Sequence, residues 1–128
     1  DKRIAAAVCG VYFNERYTKQ LIPSGENFPF VLSCEEEHMY PLLAEFADSD
    51  MASLICPRAF AVEGGRGDSA CCHGQVVQAF EQAKPFYERL GLGEKCELLM
   101  HEGVHEVEPV EDVAQIRAVR FLDRWLRS

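Results

Sequence analysis

Between Ile55 and His105 the chain twice passes from an apolar run into a glycine-flanked polar residue, with a helical pattern between the two. The first run, Arg58-Ala59-Phe60-Ala61-Val62-Glu63, opens into Gly64-Gly65-Arg66-Gly67-Asp68. The second, Cys96 to Met100, leads to Gly103-Val104-His105-Glu106. Apolar runs of this length read as buried strands. Strands alternating with helices imply a parallel sheet with crossover connections. In such a sheet the loops after the strands' carboxyl ends gather on one edge, where sites are built. Asp68 and His105 therefore fall on one rim, whatever their separation in the chain.

The rest of the chain extends this α/β pattern. Ile4 to Phe13 is apolar throughout and reads as a parallel strand buried on both faces. Asn14 to Asn27 is polar, with a turn at Pro23-Ser24-Gly25, and reads as an excursion over the surface. A helix is expected to start near Pro41, and Asp50 to cap a short turn or helix, Met51 to Ile55, that stops before Pro57. The segment from Gly74 to Leu90 places Val76, Val77, Phe80, Ala83, Phe86, Tyr87 and Leu90 mostly on one helical face. Pro85 is expected to kink or divide it, and Gly91 to supply a left-handed C-cap. A last helix, roughly Val110 to Leu126, is expected to bury Val113, Ile116, Val119, Leu122, Trp125 and Leu126. Three or so parallel strands flanked by helices, with the Arg58 strand in the middle, is the expected architecture.

Length and composition restrict the function. The chain has 128 residues and is read as a single domain, 1–128. An apolar content of 48% is enough for a real core. A net charge of −8 argues against nucleic acid or an anionic membrane as partner, since both attract basic surface. No apolar run approaches the roughly 18 residues of a membrane span. Ile4 to Phe13 is too short for a signal peptide and lacks a small-residue cleavage site. Because the chain starts on Asp1 and enters an apolar run almost at once, a piece of a longer polypeptide is expected.

The six cysteines contain no CxxC pair, so zinc of that kind has little support. Cys9, Cys56 and Cys96 lie in apolar runs and read as buried structural thiols, with a vicinal Cys71–Cys72 bridge as a minor alternative. Glu35, Glu36, Glu37 and His38, with His73, His101 and His105, match no ligand spacing, and read as a solvated loop and surface residues rather than a metal site. The Arg66-Gly67-Asp68 tripeptide is a chance match. No metal and no cofactor are expected.

Several words of the chain, in order, resemble the C-terminal part of α/β-hydrolases of the dienelactone hydrolase and acetyl xylan esterase-like group. They include Ile4 to Val8, Gly10 to Phe13, Asp50 to Arg58, Glu63 to Asp68, Tyr87 to Gly91, Gly103 to Glu106 and Phe121 to Leu126. The resemblance implies a partial α/β-hydrolase fold and a parent that cleaves small-molecule carboxylic esters. Carried over, Asp68 would orient the histidine and His105 would be general base and acid, in the chain order Ser, Asp, His of that fold. The nucleophile elbow Gly-x-Ser-x-Gly is not among these residues. Cys9 sits inside the first strand, not at an elbow, and reads as structural. Val104 stands where the group usually has a second glycine, and Ser69 where proline often follows the acid. Two readings stay open: a hydrolase portion lacking its nucleophile half, or a non-catalytic truncated module. Either would be completed by a homodimer through the first strand or by the missing N-terminal half. The group occurs on both sides of membranes, with the cytoplasm the favoured side here.

Overall fold

The strand Ala59–Gly65 occupies the middle of a three-stranded parallel sheet, and all seven of its residues are buried. The computed structural model describes residues 1, 3–10, 13–14, 45–68, 72–104 and 113–127, with the side chains of the last helix from residue 117 on. The strands are β1 (Ala6–Gly10), β2 (Ala59–Gly65) and β3 (Cys96–His101), in the spatial order β1-β2-β3. Three helices accompany them: α1 (Asp48–Ser53), α2 (His73–Arg89) and α3 (Val113–Leu126). This is an α/β arrangement with the Ala59 strand between its neighbours. The helix expected near Pro41 lies largely outside the described residues.

Alternation along β2 divides the core between two helices. Phe60 and Val62 join Val76, Ala79, Phe80, Ala83 and Tyr87 of α2, together with Phe13 and Ala52. Ala59 and Ala61 face the other way and meet Phe121 of α3, with Leu99 of β3. The alanines explain how a helix carrying both Phe121 and Trp125 packs closely against a flat strand. Small residues on the sheet leave room for large ones on the helix.

The helix faces differ in detail from the sequence reading. In α2 the inward stripe is Val76, Ala79, Phe80, Ala83 and Tyr87, while Phe86 and Leu90 are exposed. In α3 the stripe is Ala118, Phe121, Leu122 and Trp125, spaced at three and four residues; Val119 and Leu126 fall off it and are exposed. The expected burial of Val113 and Ile116 lies outside the described side chains. Pro85 does not divide α2, which runs unbroken through it. The carbonyl that proline leaves without an amide donor belongs to Glu81, an exposed residue.

Local signals account for the helix ends. Gly91 has a φ of 69° and closes α2 with paired bonds, Leu92 N–H to Tyr87 O at 2.8 Å and Gly91 N–H to Glu88 O at 2.9 Å. That is a Schellman ending, for which glycine is favoured. Asp50 is not the N-cap of α1 but lies inside its first turn, where its carboxylate accepts the Ala47 amide at 2.9 Å. The helix therefore starts at Asp48 rather than Met51. β1 is shorter than its apolar run, and Ala6 to Cys9 are half-buried rather than enclosed on both faces.

Two buried protic groups make the fold sensitive to alkali. Tyr87 donates its hydroxyl to Arg58 O at 2.9 Å, and burial pushes its phenol above the ordinary range. Burial pushes the Cys96 thiol up to about 11, against the lowering influence of Lys84. Both raised groups favour the folded state while protonated, so this stability is intact below about pH 9 and is lost as pH rises towards 11. The Cys96 contribution lost by pH 11 is about 2 kcal/mol. Urea midpoints measured from pH 8 to 11 should fall steeply, and Cys96→Ala should flatten that fall.

Candidate functional site

Because the three strands are parallel, their carboxyl ends share one edge, and the described loops after β2 and β3 are joined there by main-chain bonds. Arg66 N–H donates to His101 O at 2.8 Å, and Gly67 N–H to Gly103 O at 3.0 Å. The side chains of Arg66 and Glu102 add a solvent-exposed ion pair at 3.1 Å, which contributes little by itself. Pairing between β2 and β3 thus continues past the strand ends and fastens one loop to the other.

Glycine makes this approach feasible. A Cβ on Gly65 would lie 2.4 Å from Gly103 O and 2.6 Å from Val104 O, and one on Gly67 would lie 3.2 Å from Gly103 O. Gly64 and Gly65, placed after the strand in the sequence reading, are the last residues of β2, opposite Met100 and His101. Val104 lays its side chain near Gly67.

Asp68 follows directly and is buried, at 8% exposure, with its amide donating to Gly65 O at 3.3 Å. His105 follows Val104 and lies outside the described residues, as does its expected approach to the Asp68 carboxylate. Cys9 lies within β1 and packs on the α2 side of the sheet, away from any elbow. Cys56 and Cys96 are free thiols, and Cys71, one half of the possible vicinal bridge, lies outside the described residues. Among the described residues no group of three acidic, His or Cys side chains could hold a metal ion. The acidic loop at Glu35 to His38 is outside them.

Three buried polar residues at this edge were not singled out from sequence. Asn14, assigned to the surface excursion, is fully buried, and its amide donates to Asp48 Oδ2 at 3.0 Å. That bond ties the chain beyond β1 to the start of α1. Glu63 and His101 are 6% and 7% exposed and face each other, Glu63 Oε1 lying 4.0 Å from His101 Nε2. His101 Nδ1 accepts the Gly103 amide at 3.0 Å. The signal for Glu63 was present in the strand: it is in phase with Ala59 and Ala61, which face inward. His101 is one residue past the apolar run and gave no such signal.

No described helix is long and apolar enough to cross a membrane. Comparison with protein-family models, with curated proteins and with solved structures finds no match to this chain.

Substituting Gly65 by Ala forces the two loops apart. We expect a loss of about 1–3 kcal/mol, the usual range for overpacking. Gly74→Ala is the control: in α2 its Cβ would meet only Cys72 Sγ, at 3.9 Å, and it should be neutral or slightly stabilising. Urea denaturation of both variants checks this, and equal stability would show that the close approach imposes no constraint.

Proposed function

We propose that this chain carries the acid and the histidine of a serine-type α/β-hydrolase acting on carboxylic esters, with Asp68 and His105 in those roles. The observation that carries the reading is the main-chain fastening of the β2 loop to the β3 loop. Asp68 follows one fastened residue, Gly67, and His105 comes two residues after the other, Gly103. The buried setting of Asp68 and the parallel order β1-β2-β3 also support it.

In this reading a serine from a Gly-x-Ser-x-Gly elbow attacks the ester carbonyl. His105 takes the serine proton and passes it to the departing alkoxide, and Asp68 holds the ring's tautomer and stabilises the imidazolium. Water then attacks the acyl-enzyme with the same histidine as base. The elbow is not among the 128 residues. The chain by itself should therefore hydrolyse p-nitrophenyl acetate at close to the background rate, since loss of the nucleophile costs about six orders of magnitude.

Sequencing the gene upstream of Asp1 and expressing the longer product tests the reading. A Gly-x-Ser-x-Gly motif is expected there, with esterase activity in the product. Asp68→Asn should lower kcat about four orders of magnitude and His105→Ala more. An upstream sequence without the motif, or full activity in both variants, would sink it.

The rival reading, a non-catalytic module that self-associates, draws on β1. Among the described residues β1 is an end strand, and Ala6 to Cys9 are only half-buried. Sedimentation equilibrium should then give the mass of a dimer, as expected for an interface of roughly 800 Å² or more per partner, and a monomer would remove this alternative.

A further inference from the structure

We propose that Glu63 and His101 are positioning residues, which hold the Glu102–Val104 loop through the Gly103 amide and so fix Val104, the residue that precedes His105 in the chain. The inference rests on the reading of Asp68 and His105 given above, and assigns to it two residues outside the triad.

Gly103 is held on both sides. Its carbonyl accepts the Gly67 amide at 3.0 Å, and its own amide donates to His101 Nδ1 at 3.0 Å. A nitrogen that accepts carries no proton, so the neutral ring bears its hydrogen on Nε2. Nε2 is the atom that faces Glu63 Oε1, at 4.0 Å. The carboxylate therefore favours the one tautomer in which Nδ1 is open to the loop. A buried acid is stabilised only by groups that answer its charge, and a buried imidazole N–H is one.

Placement on the sheet explains how the pair fits. Gly10 is the register partner of Glu63, and a Cβ on it would sit 3.5 Å from Glu63 Oε2. His101 is opposite Gly65, the residue in closest contact with the loop. The carboxylate lies beside a glycine of β1, the imidazole lies beyond it, and the loop amide follows. With both side chains buried, their effect is delivered at a backbone position rather than to solvent.

Nuclear magnetic resonance on the full chain tests this, with ¹⁵N patterns reporting histidine tautomers and amide exchange reporting Gly103. The wild type should show His101 protonated on Nε2, and Glu63→Leu should admit the Nδ1–H form. His101→Leu should speed Gly103 exchange on the order of tenfold, as expected for one lost hydrogen bond, and should shift the titration midpoint of His105. His101→Asn, whose side-chain oxygen takes the place of Nδ1, should keep both near wild type. The proposal is overturned if His101→Leu leaves either readout unchanged, or if His101→Asn loses both as fully as the leucine variant. Should His101→Leu fail to fold, the wild-type tautomer and the asparagine variant decide alone. Asp68→Asn separates the two ideas. If it leaves the His105 midpoint unmoved, the acid–histidine reading fails while Gly103 exchange still judges the pair. If it moves the midpoint and His101→Leu does not, the reading stands and the positioning role falls.

Discussion

The fold depends on β2 being buried on both faces and hydrogen-bonded along both edges. A strand in that position must satisfy two helices at once, and its alternation of small and large residues does so. Phe60 and Val62 interlock with α2, while Ala59 and Ala61 leave space for Phe121 beneath α3. α2 packs also on α1 through Ala52, while α3 lies on the sheet. Their inward stripes form against these partners, since isolated helices of this length are marginal in water.

The same strand then builds the rim. At Glu63 it leaves apolar chemistry, but it does not leave the sheet. Gly64 and Gly65 continue pairing with β3, and the absence of side chains lets the β3 loop cross them at backbone contact. An ordinary residue at Gly65 would collide with two carbonyl oxygens. The loops after β2 and β3 thus form one hydrogen-bonded unit rather than two independent turns. Asp68 emerges from that unit buried, a costly setting for a carboxylate that the surroundings must answer.

Beneath the rim, polar burial is concentrated where the proposed chemistry is. Asn14, Glu63, Asp68 and His101 are buried polar residues near the carboxyl ends of the three strands. Elsewhere the sheet is mostly apolar, with Glu97 of β3 half-buried and paired to Arg124. Stability alone would favour apolar residues at such positions. Polar groups grouped at the edge where parallel sheets bind their ligands accord with a functional rim.

The sequence by itself determined the elements and their order. Apolar runs locate three strands, helical spacing locates α2 and α3, Gly91 ends α2, and the alternation calls for a parallel sheet; all are local or periodic properties. The order of Asp68 and His105 along the chain was equally legible. What only the tertiary structure decided depends on contacts between segments far apart in sequence. Gly64 and Gly65 fell after the strand until β3 was beside them. Val119 and Leu126 read as core until the sheet selected the stripe through Phe121. Asn14 read as surface until Asp48 met its amide. The Glu63–His101 pair joins residues on neighbouring strands, and no periodicity within either strand could show that an acid on one faces an imidazole on the other.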